Sequence, residues 1–573
     1  MKVAGVVAMV LLASGPSFGQ SMREKLSPEL RNWNVNNNVD VIVQFDQTPT
    51  EAHHRRVLSR GGQLNRRLDF IRAGAYSMPS SALADLANDP SVIHVSVDHK
   101  LHAKLDYSTA AVNAPSVWQL GWTGSGIGVA VIDSGITQSA DFANRIVYSQ
   151  NFNGRGPSYD LYGHGSHVAG IIAGNSANSS CPGCRLLKGV APNANLIDLR
   201  VLDRNGESTD SIVINAINTA IQLQSTYNIR VMNLSLGRPI SESYAQDPLC
   251  QALESAWRAG IVVVTAAGNE GRDNSVGENG YGTIGAPGND PYVITVGAMK
   301  TEETYDRRDD LVASYSSKGP SLVDNVIKPD IMAPGNLVVS VESPNNTLAG
   351  EYPSFQVPVS YYMGGTNNTP STQYYSLSGT SMAAGVVSGA VADLLQAQPW
   401  LTPDQVKARL MSTAYKTFPK SSVATDTITG TAYTSYYDIF TVGAGYLDIS
   451  AALNSHWTPR GTALSPTATF DANAGTVLVN FDPSSVWAQM SLTSVTGIWG
   501  NALSMGATGI TGLGSLGSGG ILGNSAIWGT SAIWGTSGIW GTSGIWGTSG
   551  IWGTSAIWGT SAIWGTSAVL SEK

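Results

Sequence analysis

Three patterns of apolar and polar residues divide this chain. Apolar and polar positions alternate over 39–45 and 92–97, which predicts half-buried strands, and 51–60 and 81–87 read as helices. Residues from about 21 to about 105 therefore read as a small α+β unit. From about 107 to 452 the rhythm changes. Apolar runs at 129–133, 196–202, 229–236, 261–267 and 292–297 read as strands, several without polar alternation, as expected where both sheet faces are covered. Helical segments at 211–224, 248–259, 381–396 and 403–413 alternate with them. This predicts an α/β class, a mostly parallel sheet with helices on both faces.

The last region differs again. No charge occurs from Pro483 to Ser571, and Ile-Trp-Gly-Thr-Ser-(Ala/Gly) repeats over about 525–568. Trp528, Trp534, Trp540, Trp546, Trp552, Trp558 and Trp564 recur every six residues, with one earlier copy at Ile498-Trp499-Gly500. Period six scatters tryptophans around a helix but sets them on one face of a strand. The repeat reads as extended or solenoid-like β structure, with a disordered low-complexity tail as the open alternative. So many tryptophans call for self-association, a partner or a cell surface.

At the other end, Lys2, the apolar stretch 3–13 and small Ser17 and Gly19 read as an export signal over 1–20. The expected organisation is signal 1–20, α+β unit 21–106, α/β domain 107–454 and extension 455–573. A net charge of −8 argues against nucleic-acid binding. Of three cysteines, Cys181 and Cys184 form a Cys-Pro-Gly-Cys segment among loop residues, and Cys250 falls in a helical stretch. With no second pair for zinc, a local disulfide or two free thiols remain for the first two, and a buried thiol for the third. The run His53, His54, Arg55, Arg56 and Arg60 reads as a solvated helix face.

The chemistry gathers in three short contexts. An apolar run ends on Asp133, Gly-His-Gly-Ser-His surrounds His164, and Gly-Thr-Ser-Met-Ala surrounds Ser381. A serine hydroxyl is a weak nucleophile that needs an adjacent base, and the base needs a group to orient it. Ser381, His164 and Asp133 supply these types. Ser381 and His164 each open a helix of small residues, so free N–H groups point at the reacting centre. Asp133, Ser235 and Asn269 all fall at carboxyl ends of expected strands, where ligands of such sheets bind.

These segments, with Ala266-Ala267-Gly268-Asn269 after an apolar strand, resemble the subtilisin-like serine proteases, the subtilases. The resemblance implies Asp133, His164 and Ser381 as catalytic residues, His167 as structural, and Asn269 with the Ser381 N–H as oxyanion donors. It implies Ser235, Leu236, Gly237, Ala266, Ala267 and Gly268 as substrate walls. Ser235-Leu236-Gly237 would pair with the substrate backbone as an added strand, the small residues Ala266, Ala267 and Gly268 leave a slot for large uncharged residues with broad tolerance, and Glu270 would admit basic ones at its rim. The first unit resembles the family's inhibitory prodomain, a ferredoxin-like βαββαβ form, self-cleaved near 102–108.

The expected protein is a secreted serine endopeptidase acting on proteins or peptides, with its own prodomain as inhibitor. No cofactor is needed for the chemistry; Asp141 matches a calcium-ligand position of the family, without a full ligand set. Two departures stand out: Gly385 where the family has proline, read as simple tolerance with extra room for amines and peptide ligation as the sharper alternative, and a long span from Gly335 to Ser381 read as an inserted loop narrowing access. The rival reading is a surface-attached adhesive protein using the tryptophan repeat, with a vestigial protease domain.

Overall fold

The computed structural model describes residues 25–511 apart from 28–29, 31–37, 99, 104–107, 155, 157, 182–183, 275–278, 305, 427–428, 472–475, 492–493, 495–496 and 501–508. The expected export signal and the hexapeptide repeats lie outside the described residues. The chain divides into two compact units, up to Val97 and from Asp98.

In the first unit, β1 (Asn38–Phe45), α1 (Glu51–Leu58), β2 (Gln63–Leu68), β3 (Ala73–Pro79), α2 (Leu83–Ala87) and β4 (Val92–Val97) follow in that order. Its antiparallel sheet runs β2-β3-β1-β4. Alternate residues Val39, Val41 and Val43 turn inward and meet Val57, Leu86 and Val95 in the core. The basic run is not the solvated face expected. His53 and His54 are buried, His54 Nδ1 pairing with the Tyr76 hydroxyl at 2.7 Å, while Arg56 and Arg60 reach Asp89 and Asp85. Helical spacing puts the two imidazoles on the core side of α1, and ring area favours their burial there.

The second unit is built on a sheet of eight strands. Its strands are β6 (Gly128–Asp133), β7 (Ile146–Asn151), β8 (Asn195–Arg200), β10 (Ile229–Leu234), β12 (Val262–Ala266), β13 (Ile294–Lys300), β14 (Leu311–Val312) and β15 (Ile331–Pro334). They run β14-β13-β12-β10-β6-β8-β7, with β15 beside β13; only the β13–β14 pair is antiparallel. Every residue of β6, β12 and β13 is buried. Successive side chains point to opposite faces, so both faces are covered. The long helices are α3 (His164–Ala173), α4 (Asp210–Tyr227), α5 (Pro248–Arg258), α6 (Thr380–Ala397) and α7 (Pro403–Thr413).

Two smaller sheets adjoin it. In one, β5 (Lys100–Ala103) lies antiparallel between β9 (Glu207–Thr209) and β11 (Leu236–Gly237). In the other, β16 (Val338–Val341), β17 (Gln356–Pro358) and β18 (Pro370–Leu377) pair in the order β16-β18-β17. The span from Gly335 to Ser381 is thus a small sheet with two short helices rather than a bare loop.

The described residues past 455 continue this same unit. Arg409 donates to the Trp457 carbonyl, Asp404 accepts the Ala463 N–H, and Ser465 donates to Asp330. Trp487 is fully buried against Trp457 and Trp499. In the described copy of the repeat motif, Ile498-Trp499-Gly500, the isoleucine and tryptophan are helical and buried and the glycine turns to φ 55°, unlike the extended form read from the period. Local aromatic packing on Phe481 and Trp487 decides the conformation of this single copy.

Candidate active site

β6 ends at Asp133, and α3 begins at His164. Gly165 lets the two meet: a Cβ there would lie 2.3 Å from the Gly135 carbonyl oxygen and 3.2 Å from the Asp133 Cβ. His164 Nδ1 reaches Asp133 Oδ1 at 2.6 Å, and the same oxygen accepts the Ser134 N–H at 2.7 Å. Both side chains are fully buried. With Nδ1–H donated to the carboxylate, the neutral ring keeps its Nε2 lone pair for a second partner.

Ser381 stands in the first turn of α6, where its N–H has no helical acceptor. α3 and α6 pack side by side in the same direction. A Cβ on Gly385 would lie 3.3 Å from Ile171 and 3.6 Å from Val168, and one on Gly389 would lie 3.3 Å from the Ile172 carbonyl. One turn back along both helices, Ser381 comes level with His164. The Ser381 hydroxyl donates to the Ser235 carbonyl at 3.1 Å, and Ser235 Oγ donates to the Ser381 carbonyl at 2.8 Å. Ser235 is therefore turned inward, which breaks the strand expected over 229–236 into β10 and β11. The space beside Gly385 is filled by Val168 and Ile171, so it offers no vacancy for an attacking amine.

Asn269 follows β12. Its Oδ1 accepts from the Thr380 N–H at 2.9 Å and the Thr380 hydroxyl at 3.0 Å. A backbone N–H can only donate, which fixes Oδ1 toward Thr380 and turns Nδ2 the other way. Thr380 Oγ1 also accepts the Gly268 N–H at 3.1 Å, latching the end of β12 to the start of α6. Ala266 and Ala267 are buried at this edge. Glu270 is half-buried, with its N–H on Ser317 Oγ.

One positioning residue escaped the sequence reading. Asp160 is fully buried and accepts from Ser134 Oγ, Tyr162 N, Gly163 N and Ser166 N at 2.7–3.1 Å. It ties the β6 end, the approach to His164 and the first turn of α3 into one network. Burial pushes its carboxyl pKa up, and the Gly163 and Ser166 N–H donors pull against that. A clue stood in the sequence: an acid four residues before His164, in position to cap the helix start. His167 faces away from this network. Its Nε2 lies 3.3 Å from the Val338 and Tyr375 carbonyls, and burial drives its pKa well below the ordinary value.

The remaining candidates lie elsewhere. Cys181 and Cys184 are joined as a disulfide, and Cys250 is buried with its thiol pKa pushed well up by desolvation. Asp141 is buried, and its carboxylate takes the Tyr374 hydroxyl at 2.6 Å and the Asn178 N–H at 2.8 Å. Among the described residues, no cluster of three or more His, Cys, Asp or Glu side chains is arranged to hold a metal.

Comparison with known proteins agrees with this geometry. The chain is 36% identical to serine protease AprX of Bacillus subtilis over 386 residues, covering 65% of this chain and 82% of the relative. It is 36% identical to subtilisin E of the same organism over 381 residues, covering 65% and 84%. The fold is similar to that of fervidolysin from Fervidobacterium pennivorans, a keratinolytic enzyme related to subtilisin. The TM-score there is 0.54 at 20% identity, over 78% of this chain and 64% of that one. The sequence profile of the subtilase family matches residues 124–440, and the chain belongs to that family of serine endopeptidases.

Proposed function

We propose that this subtilase is a secreted endopeptidase, made as a precursor that cuts itself, with Ser381 as nucleophile, His164 as base and Asp133 as the group orienting the base. Rotation about the Ser381 side-chain bond brings its hydroxyl from the Ser235 carbonyl to His164 Nε2. The imidazole takes the proton as Oγ attacks the peptide carbonyl, and later returns it to the leaving amine. The Ser381 N–H and Asn269 Nδ2 stabilise the oxyanion in a site closed to water. Small walls at Ala266, Ala267 and Gly268 favour large uncharged residues before the cleaved bond.

One observation carries this reading: β5 sits as an extended strand between β9 and β11, its His102 opposite Gly237 on one side and Glu207 on the other. A peptide substrate would add to the same two edges through main-chain hydrogen bonds. The register runs from His102 opposite Gly237 to Ala103 opposite Leu236, in the direction of Ser235 and its partner Ser381, which supports the precursor's own bond near 102–108 as the first presented. Exposed edges of this kind bind many sequences, which fits broad specificity. The test is Ser381→Ala. The account expects that variant to accumulate as uncut precursor on a gel and by intact mass; normal trimming would overturn self-processing.

A further inference from the structure

Arg238 follows Gly237 directly, yet it is a cation with only 2% of its side chain exposed. Its Nε donates to both oxygens of Asp210 at 3.1 and 3.2 Å, and its Nη2 to both oxygens of Asp247 at 2.9 and 2.8 Å. Asp210 is the residue after β9 and the first of α4. Asp247 caps α5 by accepting the Leu249 N–H at 2.9 Å. The Arg238 backbone is fixed as well, exchanging N–H···O bonds of 2.8 and 2.7 Å with Ala286. One guanidinium therefore joins the residues that end the two strands flanking β5.

Replacing such a buried ion pair with apolar residues of like volume is often neutral or stabilising, so stability alone does not account for it. What a rigid, bidentate fork supplies is a fixed distance and orientation. Strands pair about 4.8 Å apart, so a slot receiving one strand between two edges spans about 10 Å, and small errors in that width break the bonds on one side. We propose that Arg238 is a positioning residue that sets the separation of β9 and β11, and so governs affinity for peptides that extend several residues before the cleaved bond. Ser235, bonded to Ser381, marks the catalytic end of the slot, and Arg238 lies at the opposite end. Its effect thus falls on long substrates and spares short ones.

This inference rests on the reading of that slot as the substrate site, and the experiment separates the two. Mature wild type, Asp210→Asn and Arg238→Lys are compared on a blocked single-residue ester and on a blocked peptide with several residues before the same leaving group. Asp210→Asn keeps the shape and the Arg238–Asp247 pair while weakening the tie to β9. It is expected to lose about tenfold in kcat/KM on the long peptide, through KM, with ester turnover changed by less than about twofold. Arg238→Lys, which keeps the charge but not the fork, is expected to follow the same split. Equal losses on both substrates, or an undiminished preference for the long peptide, overturn the inference. A wild type with no length preference would instead sink the substrate-slot reading itself.

Discussion

The carboxyl rim of the parallel sheet and the excursion between Gly335 and Ser381 both bury polar side chains, but to different ends. At the rim, Asp160 takes four donors, Ser235 is bonded in both directions to Ser381, and Thr380 joins Gly268 and Asn269. The excursion hands two tyrosines back to the body: Tyr374 to Asp141 and Tyr375 to the Gly163 carbonyl. It also buries Glu342, whose Oε1 accepts from Gln356 Nε2 at 2.8 Å, and burial pushes that carboxyl to about 7. Networks in which several donors and acceptors cross-link neighbouring segments hold one orientation, as catalysis requires. A buried carboxyl with its pKa raised to about 7 keeps a titration instead. Rim residues should therefore break activity, and excursion residues stability.

The largest effect expected is at Asp160. Asp160→Asn replaces an acceptor facing the Gly163 and Ser166 N–H groups with a donor on one side, shifting the start of α3 and with it His164. We expect kcat/KM per folded molecule to fall by about 10²-fold, measured on a peptide substrate. Activity within twofold of wild type would erase the contrast drawn above. Tyr375→Phe removes only the hydroxyl that reaches the Gly163 carbonyl beside the same helix. It should cost about 1 kcal/mol of stability, read by thermal melting, with activity reduced severalfold at most.

Glu342→Gln gives the smallest effect and has a definite sign with pH. A folded pKa raised from 4.5 to about 7 means the folded state holds its proton more tightly than the unfolded one. Wild type keeps that contribution below about pH 4.5 and loses it as pH rises through about 7. Glutamine mimics the protonated acid at every pH. The variant should melt a few degrees above wild type at pH 8 and close to it at pH 5, with kcat unchanged. A gap that widens toward acid would reverse the assignment.

Much of this was legible in the chain. Asp133 closes an unbroken apolar run, and His164 and Ser381 each sit among small residues at a helix start. Residues 403–413 show proline in the first turn behind a Thr402 cap, and the helix forms there, with Gln405 completing the capping box. What stayed hidden needed tertiary partners. β7 lies at a sheet edge with no residue fully buried, so its six residues carry little apolar signal. Ser235 breaks a strand because Ser381 lies beyond it. The basic run buried its imidazoles because Tyr76, distant in sequence, meets one of them. The segment past 455 reads as a separate extension until Trp457 and Trp487 are seen packed together in the same unit as the sheet.

The central claim is that His164 and Asp133 make the Ser381 hydroxyl a nucleophile. A fluorophosphonate probe on the mature protein, with peptide mapping, tests it most directly. One adduct on the Ser381 peptide is expected, absent in Ser381→Ala and strongly slowed in His164→Ala. Labelling at another serine, or none in folded wild type, would contradict the account.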